Sequence, residues 1–128
     1  MNVTEKIKES ILILDEVENY SNKISELQQE TDYKLSDLYH YVEHNKLSTN
    51  ECYRIIKEIQ KQRNRRRELA NDSSLLNTFE NNKGKLNNIN TRTMLITEMN
   101  KTNNRLNQPY KNRIYTDEEF SIILGKKG

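Results

Sequence analysis

From Thr4 to His44 the chain holds neither glycine nor proline. A stretch that long without a helix breaker is read as one long helix. Within it, Ile13, Val17, Tyr20, Ile24, Leu27 and Thr31 recur at spacings of 4, 3, 4, 3 and 4. That alternation is a coiled-coil seam, because each step returns a side chain to one side of the helix. Leu35, Leu38 and Val42 extend it after two successive steps of four, a stutter that locally unwinds a supercoil. Unbroken, such a helix spans about 60 Å at ~1.5 Å per residue. Thr31 and Asp32 are weak helix formers and mark where a break would fall.

The helix has a clear stop and a clear successor. Ser48 and Glu51 form an S-x-x-E capping box, with Leu47 before the cap and Cys52 after it as a hydrophobic staple. The bend near 45–48 is short, which predicts antiparallel packing of two helices. The second helix is expected from Thr49 to about Ala70, with extension to Phe79. Its apolar positions are Cys52, Ile55, Ile56, Ile59, Leu69, Leu75, Leu76 and Phe79, and Asn71–Ser74 offers new N-caps that would interrupt it.

Beyond it the pattern weakens. Residues 80–90 are rich in asparagine and contain Gly84, which reads as a linker. Residues 91–107 predict a third helix with Leu95, Met99, Thr102 and Leu106 on one face, though TRTMLIT also suits a strand. Pro109 would end it. Thr116 and Glu119 make a second capping box, stapled by Tyr115 and Phe120, for a short helix from Asp117 to Leu124 that stops at Gly125. The expected organisation is therefore a helical hairpin over 1–79, a linker over 80–90 and a C-terminal helical segment over 91–128.

Composition supports thin helical layers. One residue in three is hydrophobic (33%), 31% are charged, and the mean hydropathy is −1.04. A core that small fits helices burying narrow stripes, and a seam left over in so thin a structure predicts self-association, most simply as a dimer or tetrameric bundle. The fold class expected is all-α, a long antiparallel coiled-coil-like hairpin with a short C-terminal helical section, in an oligomer. No apolar run is long enough to span a membrane, and the N-terminal segment, interrupted by Glu5 and Glu9, lacks a signal-peptide layout. A single cysteine, Cys52, points to a reducing compartment, the cytoplasm.

Charge is unevenly placed. Residues 1–45 carry net −6, residues 46–70 net +5 and residues 71–128 net +3. The cationic segment comprises Arg54, Lys57, Lys61, Arg63, Arg65, Arg66 and Arg67. It suits a nucleic-acid phosphate backbone or an acidic partner. It also suits the first helix, because antiparallel packing about the bend sets Arg63–Arg67 opposite a stretch holding Glu26 and Glu30. Tyr33, Tyr39, Tyr41 and Tyr53 gather around the bend, where they would pack across its end or stack on bases.

His40, Glu43 and His44 spell H-x-x-E-H, the inverted zinc-protease signature. A catalytic zinc needs a third ligand and a shaped cleft, and nothing in the chain marks either. These side chains read instead as a solvated helix end where histidine suits the dipole. With no phosphate-binding glycine loop and no nucleophile paired to a base, no catalytic residue, metal site or cofactor is assigned. The tail residues Tyr110, Tyr115, Phe120, Ile123 and Leu124 concentrate apolar surface. They either close onto the hairpin or anchor a partner.

The stretch DLYHYVEHNKLSTNECYRIIKEIQKQRNRRRE resembles small accessory proteins encoded by phages and prophages of low-GC Gram-positive bacteria. The matching positions are Asp37, Leu38, His40, Tyr41, Glu43, Leu47, Glu51, Lys57, Ile59, Lys61 and the Arg63–Arg67 cluster, together with the ending R-I-Y-T-D-E-E at 113–119. The resemblance implies a phage source and is nearly silent on activity. Together with the small size and coiled-coil character it leads to the expectation of a non-enzymatic protein acting in the host cell cytoplasm on a host protein or protein–nucleic acid complex, such as a defence nuclease of the CRISPR kind. Direct binding of DNA or RNA through the basic helix, and a scaffolding role in the phage particle, are the alternatives. No membrane partner is expected.

Overall fold

The computed structural model describes residues 2–108 and 114–126. It is helical throughout, with no strand among the described residues. α1 runs Val3–His44, α2 Thr49–Asn82, α3 Ile89–Leu106 and α4 Asp117–Ile123, with a 3-10 turn at Lys83–Asn87 joining α2 to α3.

Each helix start has a local cause. Asn2 caps α1 by accepting the Glu5 amide at 2.8 Å. At α2 the Glu51 amide donates to the Ser48 hydroxyl, and the Ser48 amide donates back to the Glu51 carboxylate, both at 3.2 Å. Leu47 and Cys52 are half-buried beside this cap, with the Cys52 thiol 4.0 Å from the Leu47 carbonyl. At α4 the same box is closed by Thr116 and Glu119 at 3.1 and 3.3 Å. The rings of Tyr115 and Phe120 meet there at 5.4 Å.

Neither expected interruption occurs. α1 passes through Thr31 because its hydroxyl donates to the Leu27 carbonyl at 2.9 Å, which satisfies the polar group inside the helix and lets the residue be buried. α2 passes through Asn71–Ser74, where all four residues are half-buried and Asp72 is held from α1. The Tyr20 hydroxyl donates to Asp72 at 2.6 Å, and Thr78 donates to the Ser74 carbonyl at 3.1 Å. Tertiary packing outweighs the weak local propensity. For the same reason the stretch read as a linker is mostly ordered backbone. Thr91 donates to the Lys85 carbonyl at 2.8 Å and Arg92 to the Leu86 carbonyl at 2.9 Å, which bind the turn to the start of α3.

α1 and α2 pack along one another. Asp32 meets Arg66, and farther from the connection Tyr20 meets Asp72. Between them lie the buried Ile24, Thr31 and Leu35 of α1 and Gln62 and Leu69 of α2. Leu69, 0% exposed, is the best-enclosed side chain described. Gln62 is satisfied by donating to Glu58 at 2.9 Å. α3 packs on the last turns of α2 through Leu95 and Thr102, and the hydroxyls of Thr78 and Thr102 meet at 2.6 Å. Two regions stand outside this packing. The first turns of α1, from Val3 to Leu14, are exposed all round. α4 meets no other helix among the described residues. No helix among them is long and apolar enough to cross a membrane.

Candidate functional site

The seven cations singled out in the sequence all lie on α2, and all are exposed. At 100° per residue they do not share one face. Arg54, Lys57, Lys61 and Arg65, at steps of 3, 4 and 4, form a stripe along one edge of the helix. Arg63, Arg66 and Arg67 project from the back and the other edge. Lys34 of α1 joins the stripe from across the helix pair. Lys34, Lys57, Lys61 and Arg65 line an open groove of about 730 Å³ whose floor includes Leu27, Thr31 and Gln62. Only Glu30 and Glu68 bring negative charge to that lining.

The acidic arm meets the run at one residue, Arg66. Glu30, expected to face the arginines, turns along its own helix to Lys34 at 3.1 Å. Arg65 contacts Glu68 one turn on at 3.7 Å. Among the described residues the ion pair joining α1 to α2 is Arg66–Asp32 at 3.2 Å, on the edge away from the groove. Exposed pairs of this kind contribute only ~0–1 kcal/mol each. Arg54, Lys57 and Lys61 therefore keep their charge toward solvent. The Lys57 ammonium also lies 5.1 Å over the Tyr53 ring, which places an aromatic face next to the cations.

The tyrosines depart from the expectation that they pack across the bend. Tyr33, Tyr39, Tyr41 and Tyr53 are exposed. The inner positions near the bend go to Leu35, Leu38, Leu47, Cys52, Ile55 and Ile59, all buried or half-buried, and the tyrosines fall on outward turns between them.

The His40 and His44 rings lie 4.3 Å apart between centroids, tilted by 50°, and with Glu43 they bring three ligand atoms within 4.8 Å of one another. All three residues are exposed on the last turns of one helix. They could share a cation, but water would complete its shell, and no wall encloses the space where a substrate would sit.

Of the tail residues, Tyr110 lies outside the described residues, as does Pro109. Tyr115, Phe120, Ile123 and Leu124 are exposed, and Ile122 is 76% exposed beside them. No protein-family model, curated protein or solved structure matches the chain.

Two features were missed in the sequence. Lys34 carries no local signal, since its membership of the groove depends on which turn of α1 faces Lys57 and Lys61. The exposed start of α1 is marked in the sequence by the run ILIL, residues 11–14, of which the seam spacing takes in Ile13 alone.

Proposed function

We propose that this chain is a non-enzymatic interaction protein that docks on a host macromolecule, in keeping with its resemblance to phage accessory proteins, and that it works as a coiled-coil-like hairpin presenting a basic edge. The ligand of that edge is the phosphate backbone of a nucleic acid, either free or held by a defence nuclease that the protein blocks. The observation that carries this reading is the groove lined by Lys34, Lys57, Lys61 and Arg65, in which Lys34 and Arg65 pair along their own helices with Glu30 and Glu68, while Lys57 and Lys61 meet no carboxylate among the described residues. A stripe of spaced cations along a straight helix can follow a line of phosphates and release their counterions, and the Tyr53 ring beside Lys57 adds a stacking surface.

Fluorescence anisotropy with short duplex DNA and with RNA, at low and moderate salt, tests it. Binding should weaken steeply with salt. Lys57→Glu with Lys61→Glu should abolish it, while Arg63→Glu with Arg67→Glu, on the other sides of the same helix, should reduce it far less. Equal loss in both variants would mean net charge alone is sensed. Absence of binding to either nucleic acid would remove the nucleic-acid ligand and shift the basic edge to an acidic protein.

A second reading is favoured by α4. A helix capped at both ends that no other described helix covers, with Ile122, Ile123 and Leu124 outward, is suited to insertion into a groove on a protein partner.

A further inference from the structure

The first turns of α1 carry a long run of exposed apolar side chains in an otherwise polar chain. Val3 is 71% exposed and Leu14 46%, with Ile7, Ile11, Leu12 and Ile13 all exposed between them. The cause is a difference in reach. α1 has 42 residues and α2 has 34, and past Asn82 the chain turns away through Lys83–Asn87 into α3. By the Tyr20–Asp72 contact, position x of α1 lies beside about position 92 − x of α2. Residues before about 10 therefore have no counterpart, and only Leu14 reaches the groove formed with Phe79 and Leu86.

These exposed residues are placed as a seam. Val3, Ile7, Ser10 and Leu14 recur at 4, 3 and 4, and the same count runs on without a slip through Val17, Ser21, Ile24, Gln28, Thr31, Leu35 and Leu38. From Val17 onward every one of those positions is buried or half-buried. The exposed stretch is thus the direct continuation of the surface that α1 already buries. It is a helix-receiving stripe without its helix. Ile11 and Ile13 flank it and broaden it beyond a two-residue seam.

We infer that a second copy of this chain covers the stripe, the two α1 overhangs lying antiparallel about a two-fold axis between Lys8 and Glu9. In that register residue x faces residue 17 − x of the other copy. Val3 meets Leu14, and Ile7 meets Ser10, so large residues alternate with a small one and the layers interdigitate. The overlap ends at Leu14 on each copy, where the first copy's own α2 begins to cover α1. Like charges are not brought face to face. The positions flanking the seam are Thr4, Lys6, Ile11 and Ile13, so the stem of Lys6 lies over an isoleucine with its ammonium reaching water. Lys8 of each copy comes level with Glu9 of the other. α4 of the same chain is a poorer cover, because its seven residues span less of the stripe. An isologous contact of this kind closes after two copies, so it gives a dimer and no filament. Two overlapping stretches of this length make a small interface, and dissociation on the order of 1–100 µM is expected. The dimer does not depend on what the basic groove binds.

Sedimentation equilibrium of the full chain over a range of concentration tests it. The wild type should pass from monomer to dimer. Val3→Glu with Ile7→Glu should weaken dimerisation at least about 100-fold, with helical circular dichroism unchanged because neither side chain touches α2. Ile122→Glu with Leu124→Glu in α4 should leave the dimer intact. In a Cys52→Ser background, Ile7→Cys mixed with Ser10→Cys should form a crossed disulfide under mild oxidation, while Ser10→Cys alone should not. A wild type that stays monomeric at several hundred micromolar, or a dimer lost through the α4 variant and kept through the α1 variant, would overturn the proposal. Self-crosslinking of Ser10→Cys without the crossed product would overturn the antiparallel register.

Discussion

α2 and α4 begin with the same device and meet different fates. Both open on a hydroxyl cap reciprocated by a glutamate three residues on, and both carry a staple across that cap. α2 then lies against α1 along much of its length and buries Leu69 completely, whereas α4 leaves Ile122, Ile123 and Leu124 in water. A capping box decides where a helix starts. It carries no information about what the helix will touch, which depends on residues far away in the chain.

The contrast can be broken most severely at its centre. Leu69→Ala should cost about 2–5 kcal/mol by leaving a cavity where nothing is exposed, read as a lowered midpoint in urea. Leu124→Ala at the end of α4 should stay within about 0.5 kcal/mol, as exposed substitutions do. A comparable loss at both sites would mean α4 is packed in solution.

Tyr20→Phe sharpens the middle of the α1–α2 pair. It removes the hydroxyl donated to Asp72 and should cost about 1–2 kcal/mol. Burial first, then the hydrogen bond and charge of Asp72, holds the Tyr20 hydroxyl protonated above its ordinary range. A pKa raised on folding favours the neutral phenol in the native state. The stabilisation is therefore complete below the usual tyrosine value of about 10 and is lost as pH rises through the raised native one. Wild-type stability should fall in that alkaline window, and Tyr20→Phe should lose most of the fall.

The caps differ by less. Ser48→Ala should destabilise the chain by about 1 kcal/mol, because α2 unfolds with the core. Thr116→Ala should leave the global midpoint unchanged and raise amide exchange in residues 117–123 alone. Hydrogen bonds from Ser48, side chain then backbone, hold the Glu51 carboxyl below its ordinary value. The cap at α2 is therefore complete above the usual carboxylate value of about 4.3 and loosens as pH falls through the lowered one. Glu51→Gln should flatten that small acid-side loss of stability.

Most of the helix starts and stops were legible because they are local. The Ser48 and Thr116 boxes, the Gly125 terminator at φ 71° and the Gly- and Pro-free run of α1 each act within a few residues. What failed to read was whatever depended on a distant partner. Asn71–Ser74 looked like a break until Tyr20 reached Asp72. Glu30 looked like a partner for the arginines until Lys34 was found one turn away on the same helix. The basic run was visible at once, yet its division into the Arg54, Lys57, Lys61 and Arg65 stripe and the outlying Arg63, Arg66 and Arg67 follows from which side of α2 is turned to α1.

The mixed character of the buried positions has a thermal consequence. Among the described residues, Thr31, Gln62 and Thr102 are buried alongside Ile24, Leu35, Leu69 and Leu95. Exposing apolar surface raises heat capacity and exposing polar surface lowers it, so unfolding this chain should bring an increment below the usual ~12–15 cal/mol/K per residue. Its stability curve is then shallow, and the fold changes little in strength between low and moderate temperature.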